Sequence, residues 1–186
     1  LIIPAGGGSY PILALREGAP ERAGIVLATR GAKISRISGK AEKASPILGL
    51  DLELRLRATA SLGRRPIVRT IPVKLSGGMM RYDWRMNGQV YGQHTPLGVT
   101  AGERIEIVMR NASMMSHPMH LHGHHFQVVE IDGERFSGAM RDTVLVPPGK
   151  TVTIAFDATN PGRWAFHCHN LYHMEAGMMG ELRYVA

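Results

Sequence analysis

The chain has 186 residues, of which 44% are hydrophobic and 20% charged, and it carries a formal net charge of +7. It is long enough for one domain and part of a second, because single domains commonly contain about 100–150 residues. No apolar run approaches the roughly 18–20 residues that cross a bilayer, so we expect a soluble globular chain without a membrane span. Its Arg and Lys residues are scattered through the first third, which indicates a solvated surface and not a nucleic-acid site.

The first residues, Leu1-Ile2-Ile3-Pro4, do not have the pattern of a signal peptide, since no charged segment precedes an apolar one. The sequence also begins without Met. We therefore expect a fragment or a processed chain, with any export signal or preceding domain lying outside it.

Short apolar stretches separated by Gly, Pro and Asn recur along the whole sequence, and none keeps a helical period for three turns. This pattern is typical of an all-β fold, a Greek-key β-sandwich or barrel. Asn87-Gly88 and Asp132-Gly133 predict tight turns, and one short helix is expected around Asn170–Ala176. The predicted strands are Tyr10–Leu15, Gly24–Ala28, Ile67–Leu75, Ile105–Met109, His125–Ile131, Thr143–Val146, Thr151–Phe156 and Arg163–His167.

Residues Gly31–Pro66 lack strand alternation and mix Lys, Arg, Glu, Gly and Ser, which predicts a connection running over a surface. We place a domain boundary near Arg65. Residues 1–65 have too few strands for a closed sandwich, so they are interpreted as the end of one domain plus a linker. Residues 66–186 are predicted to form a complete domain.

Two short segments contain the single cysteine, Cys168, and every histidine except His94. The first runs from His117 to His125, and the second begins with the tripeptide His167-Cys168-His169 and continues to His173. A single cysteine excludes an internal disulfide, so its role must be explained by the histidines around it.

Strand geometry explains why a His-Cys-His tripeptide is informative. Successive side chains of a strand point to opposite faces. His167 and His169 therefore share one face, whereas Cys168 lies with Trp164 and Phe166 on the other. One tripeptide can in this way contribute to two metal centres.

The first segment follows the same parity, so that His120 and His122 share a face and His117 can turn toward the side of the cysteine. One thiolate, two imidazoles and a weak axial thioether form the ligand set of a blue-copper electron-transfer site. Zinc, which also binds His and Cys, is the alternative, although a structural zinc site is a closed tetrahedron and this pattern has surplus paired histidines. The residues that supply the blue-copper set are His117, Cys168, His173 and Met178.

The remaining histidines, His94, His124 and His125, are expected to be structural, because a buried ring finds hydrogen-bond partners in a core. Asp142 and Glu175 are candidates for orienting a ligand histidine or handling protons, or are ordinary surface acids. Methionines near the two segments either fill gaps in the core or form a soft surface that delivers Cu(I). They are Met114, Met115, Met119, Met174 and Met179.

The two histidine segments resemble the copper motifs of the multicopper oxidases, the group that includes laccases and bacterial copper-resistance oxidases. The resemblance covers roughly Ile67–Ala186, including Tyr82–Gly88 and Arg141–Gly149, and Tyr10–Thr29 is similar to the closing strands of the family's middle domain. It implies a C-terminal cupredoxin domain over residues 66–186 and a partial second cupredoxin domain before it.

The resemblance also implies a ligand assignment. A type 1 copper would be held by His117, Cys168, His173 and axial Met178, a type 2 copper by His120, and a type 3 pair by His122, His167 and His169. Substrate would lose one electron at a time at type 1, and electrons would pass through Cys168, His167 and His169 to a trinuclear cluster that reduces dioxygen to water. The family's cluster needs two further His-x-His pairs, so an N-terminal cupredoxin domain is an expected partner.

Three functions follow as hypotheses. The first is an oxidase of Cu(I), another metal ion or a phenolic compound, and an axial Met178 favours such easily oxidised substrates through a moderate potential. The second is an isolated copper-binding or electron-transfer module. The third, a copper nitrite reductase, is disfavoured because a histidine on each side of Cys168 suits a dinuclear pair. Resemblance to exported bacterial proteins predicts a periplasmic or otherwise exported location.

Overall fold

The computed structural model describes residues 6–185 and separates them into two compact units, divided between Gly49 and Leu50. The opening Leu1–Pro4, interpreted above as the start of a processed chain, lies outside the described residues. No helix within the described range is long and apolar enough to cross a membrane.

The N-terminal unit contains one antiparallel hairpin, formed by β1 (Ser9–Leu15) and β2 (Arg22–Ala28). Both strands were predicted. Apolar side chains of the hairpin are exposed, and Ile25 in β2 retains 68% of its accessible surface. A two-stranded sheet buries too little apolar surface to be stable by itself. The interpretation of this unit as the end of a larger domain stays a prediction.

The second half of the predicted linker contains a five-residue helix, α1 (Asp51–Arg55), which the sequence did not predict. Glu53 in α1 forms an ion pair with Arg141 at 2.7 Å. This segment therefore belongs to the C-terminal unit by its contacts, and the division falls before the boundary placed near Arg65. Residues 31–66 contain no strand, and their role as an inter-domain connection stays a prediction.

The C-terminal unit consists of two sheets. Its strands are β3 (Arg69–Gly78), β4 (Asp83–Met86), β5 (Leu97–Val99), β6 (Arg104–Asn111), β7 (His117–Leu121), β8 (Phe126–Ile131), β9 (Glu134–Arg135), β10 (Met140–Arg141), β11 (Thr143–Val146), β12 (Thr151–Asp157), β13 (Arg163–Cys168) and β14 (Met179–Tyr184), and the helix α2 (Leu171–Glu175) lies between the last two. The first sheet has the strand order β10-β8-β12-β6-β3-β4 with β9 paired to β8, and the second has the order β11-β7-β13-β14-β5. The predicted all-β fold is confirmed.

Large apolar side chains from both sheets form the core of this unit. Alternation along the strands contributes to it, since in β4 Trp84 and Met86 are buried whereas Asp83 and Arg85 are only half-buried. The positive φ angles of Asn87 (51°) and Asp132 (50°), each followed by a glycine, confirm the two predicted tight turns. The fully buried aromatic residues are Trp84, Phe126, Phe156 and Phe166.

Gly123 occupies a constrained turn between β7 and β8. Its φ is +70°, and a Cβ atom at this position would lie 2.3 Å from Cδ2 of Trp164. Its carbonyl oxygen also accepts a hydrogen bond from Asn160 Nδ2 at 2.9 Å. Gly123 thus sets the path of the chain immediately after His122.

We predict that Gly123→Ala destabilises the protein more than Gly133→Ala. Both glycines have positive φ, which costs a non-glycine residue about 1–2 kcal/mol, but a Cβ at Gly133 meets nothing within 4 Å. The collision with Trp164 should add about 1–3 kcal/mol for overpacking. Urea unfolding of the two variants measures the difference, and equal losses would show that the Trp164 ring moves aside without cost.

Candidate metal centre

Strands β7 and β13 bring the two histidine segments together as antiparallel neighbours. The register pairs His167 with His120 and Cys168 with Met119. On its other edge β7 pairs with β11, where Thr143 lies opposite His120. Alternate residues of β13 consequently face two different groups of histidines.

The first group is a thiol cluster formed by His117, Cys168 and His173, all of which are buried. Cys168 Sγ lies 3.7 Å from Nδ1 of each histidine, and the two Nδ1 atoms are 3.1 Å apart. A metal ion with bonds of roughly 2.0–2.3 Å to nitrogen and sulfur has ligand atoms at about these separations. The sequence predicted these three residues as metal ligands, and the structure places their donor atoms together.

Met178 follows the thiol cluster closely along the chain. The N–H of Met178 donates to the carbonyl of His173 at 3.0 Å, and its own carbonyl accepts from the N–H of Cys168 at 3.0 Å. The Met178 side chain is fully buried. Its predicted role as an axial ligand remains a prediction.

Burial determines the protonation state of the thiol cluster. Desolvation, with a smaller effect of neighbouring His173, lowers the pKa of His117 to about 4. Desolvation also raises the pKa of the Cys168 thiol to about 11. Near neutral pH the His117 ring is therefore uncharged and able to bind a metal, whereas Cys168 must release a proton when it becomes a ligand.

Trp84 in β4 forms one wall of the thiol cluster. Its ring centroid lies 4.2 Å from that of His173 and 5.2 Å from that of His117, and the indole is fully buried. Trp84 was not among the site residues predicted from the sequence. Alternation in Asp83–Met86 before the Asn87-Gly88 turn is the signal that could have placed this side chain inward.

The second group is an imidazole cluster formed by His120, His122, His167 and His169. Nε2 of His122 and Nε2 of His167 are 3.0 Å apart, and the ring of His120 lies 5.4 Å from that of His167 and 5.5 Å from that of His169. Unlike the thiol cluster, this group opens to solvent, since His122 and His169 are exposed. The four predicted histidines thus form one partly open cluster.

The orientation of His120 is fixed by its neighbours on β11. Its Nδ1 lies 2.8 Å from the carbonyl oxygen of Asp142 and 2.9 Å from Oγ1 of Thr143. A carbonyl only accepts, so Nδ1 carries the proton and Nε2 is free to bind a metal. Asp142 was predicted to orient a ligand histidine, and it is its backbone carbonyl that contacts His120. The contact of Thr143 with His120 was not predicted from the sequence.

Several other candidates lie outside both clusters. His124 is buried with Nε2 2.7 Å from the Tyr184 hydroxyl, His125 is exposed, and the ring of His94 stacks on Tyr91. Glu175 is exposed on α2, and within residues 6–185 its carboxylate makes no hydrogen bond to a histidine.

The methionines near the two segments differ in how far they are exposed to solvent. Met119 is fully buried beneath the clusters and acts as a core residue, whereas Met114 retains 87% of its accessible surface. Met115, Met174 and Met179 are intermediate or modestly exposed. A soft-ligand surface therefore has Met114 as its most accessible member.

Acid should destabilise the metal-free protein between about pH 6.5 and pH 4. The pKa of His117 falls from 6.5 to about 4 on folding, so the unfolded chain binds this proton first. The contribution of His117 to the free energy of unfolding is therefore fully present above pH 6.5 and is lost as the pH falls through this window. Urea unfolding at several pH values should show a weaker decline for His117→Gln and an unchanged one for His125→Gln. Identical declines in wild type and His117→Gln would contradict this assignment.

Comparison with known proteins identifies the family. A sequence profile of the family described as "Multicopper oxidase" matches residues 64–185. Multicopper oxidase MmcO of Mycobacterium tuberculosis is 38% identical over 185 residues, covering 100% of this chain and 36% of that protein. Copper resistance protein A of Pseudomonas syringae pv. tomato is 41% identical over 121 residues, covering 65% of this chain and 19% of that protein.

Solved structures show the same fold. The McoA multicopper oxidase of the hyperthermophile Aquifex aeolicus superposes with a TM-score of 0.59 at 26% identity, covering 77% of this chain and 35% of that one. The predicted cupredoxin-like sandwich is confirmed by this likeness. The chain spans about a third or less of the length of these relatives. It belongs to the multicopper oxidase family, whose cofactor is copper.

Proposed function

We propose that this chain is the C-terminal, copper-bearing part of an enzyme that oxidises a substrate one electron at a time and reduces dioxygen to water. One observation supports this most strongly. Cys168 belongs to the thiol cluster, while His167 and His169, its two neighbours in sequence, belong to the imidazole cluster. One peptide unit on each side of Cys168 therefore connects the two clusters covalently.

In this proposal His117, Cys168, His173 and Met178 would together hold a type 1 copper in the thiol cluster. The imidazole cluster contributes His120 to a type 2 copper and His122, His167 and His169 to a type 3 pair. Copper in these positions would supply one-electron oxidation of a substrate and the reduction of dioxygen.

Other residues of this chain hold the ligand histidines in place and keep water away from the thiol cluster. Burial around Cys168 excludes water from the thiol cluster, and packing against Trp84 limits the movement of His117 and His173. At the imidazole cluster, the Asp142 carbonyl holds the Nδ1 proton of His120, so that Nε2 faces the cluster. Ligands that are held in place before the metal arrives cost little reorganisation when it binds.

The imidazole cluster needs further ligands, which we propose come from an N-terminal cupredoxin domain with two His-x-His pairs. This chain corresponds to only 36% of MmcO, which leaves room for such a domain. His94, His124 and His125 do not replace those ligands, because they lie outside both clusters. The isolated chain should accordingly bind type 1 copper without reducing dioxygen.

For the substrate we propose Cu(I) or another metal ion, with a phenolic compound as the alternative. Similarity to a protein named Copper resistance protein A favours a metal ion, and the exposed thioether of Met114 is a soft ligand close to the thiol cluster in sequence. An exported, periplasmic location suits a protein that handles copper outside the cytoplasm.

His122→Ala in the full-length protein tests whether the imidazole cluster is the oxygen-reducing one. With Cu(I) or a phenol as electron donor, oxygen consumption should fall roughly 100-fold or more, because losing a ligand costs more than losing a ligand's hydrogen-bond partner, which costs about 10–100-fold. The intense blue absorption should remain, since His122 is not part of the thiol cluster. His125→Ala is the matched control in the same segment and should leave both unchanged.

Undiminished oxygen consumption in His122→Ala would remove the imidazole cluster from the reaction. A wild-type protein that shows the blue absorption but consumes no oxygen with any such donor would favour the electron-transfer module.

A further inference from the structure

A buried series of hydrogen bonds connects Asn111 through Ser113 to Nε2 of the His117 ring. Ser113 Oγ lies 2.7 Å from His117 Nε2 and 2.8 Å from Asn111 Oδ1. All three residues are at most 5% exposed. Nδ1 of the same ring faces Cys168, so Ser113 contacts the His117 ring on the side opposite the thiol cluster.

The orientation of the Asn111 amide is fixed by two carbonyl groups. Asn111 Nδ2 lies 2.7 Å from the carbonyl oxygen of Met115 and 2.8 Å from that of Val146. An NH₂ group supplies one proton to each, whereas a reversed amide would place its oxygen against two other oxygens. Asn111 Oδ1 therefore faces Ser113 and acts only as an acceptor.

The single hydroxyl proton of Ser113 has two possible acceptors besides the His117 ring, namely Asn111 Oδ1 and the Met115 carbonyl oxygen, which lies 3.2 Å from Oγ. Neither oxygen can donate, and Asn111 Oδ1 is the nearer of the two. Ser113 Oγ and Asn111 Oδ1 are 2.8 Å apart, and without a proton between them the two oxygens would repel each other. The hydroxyl consequently donates to Asn111, and Ser113 Oγ must accept the proton on Nε2 of His117. This leaves Nδ1 of His117 without a proton and with its lone pair directed at the thiol cluster.

The arrangement of His173 agrees with this assignment. The two Nδ1 atoms are 3.1 Å apart, so one ring donates and the other accepts in the metal-free protein. Asn170 Nδ2, a donor, lies 3.5 Å from His173 Nε2. His173 can therefore carry its proton on Nδ1 and donate it to His117.

We propose that Asn111 and Ser113 are positioning residues that set the tautomer of His117 and present its Nδ1 to the metal. The proposal rests on the proposed function only in treating His117 as a copper ligand. It makes the hydroxyl of Ser113, and not merely the packing around it, a determinant of copper binding.

The tautomer can be observed directly in the metal-free protein. Long-range ¹H–¹⁵N NMR of the ¹⁵N-labelled chain should give His117 Nε2 the shift of a protonated ring nitrogen and Nδ1 that of an unprotonated one. The opposite pattern in the wild type would overturn the proposal. Because no copper and no oxygen turnover enter this measurement, its result is independent of whether the protein is an oxidase.

Variants then test the consequence for metal binding. Ser113→Ala should lower the affinity for Cu(I), measured by competition with a chromophoric chelator, about 10–100-fold, as loss of a partner of a metal-bound histidine does. Ser113→Thr, which keeps the hydroxyl, should recover at least tenfold of that loss. Ser116→Ala is the matched control, since Ser116 makes no hydrogen bond to His117 in the described part of the chain. Wild-type affinity in a folded Ser113→Ala variant, or equal losses for Ala and Thr, would overturn the role of the hydroxyl.

Discussion

The antiparallel pairing of β13 with β7 is the constraint on which both clusters depend. It sets His167 opposite His120 and Cys168 opposite Met119. Because side chains alternate between faces, a slip of one residue would exchange the positions of the cysteine and its neighbouring histidines and dismantle both clusters. The apolar core on the face of Phe166 and Cys168 opposes such a slip, since it would have to accept His167 in their place.

The two clusters differ in how much of their geometry this part of the chain determines. The thiol cluster is enclosed by Trp84 and by the buried core, and burial keeps His117 uncharged. The imidazole cluster is open, with His122 and His169 exposed. This difference is what the proposed function requires, because an enclosed site can be completed by one domain whereas an open one can receive ligands from another.

Much of this could be predicted from the sequence because it depends on local rules. Strand parity at His167-Cys168-His169 placed the ligands on two faces, and the Asn-Gly and Asp-Gly dipeptides located two turns. The contributions of Trp84, Ser113 and the Asp142 carbonyl could not be predicted. They depend on which strand or loop passes behind a histidine, and that is decided by long-range packing. The division of the two units before Leu50 could likewise not be predicted, because it rests on contacts such as the ion pair of Glu53 with Arg141.

The visible absorption and EPR spectra of the protein after anaerobic loading with copper, with copper per chain counted, test the central claim most directly. We expect an intense thiolate-to-copper band with the narrow copper hyperfine splitting of a type 1 site, and the loss of both in Cys168→Ser. Bound copper without such a band would show that Cys168 is not a type 1 ligand, and would contradict the assignment of the thiol cluster.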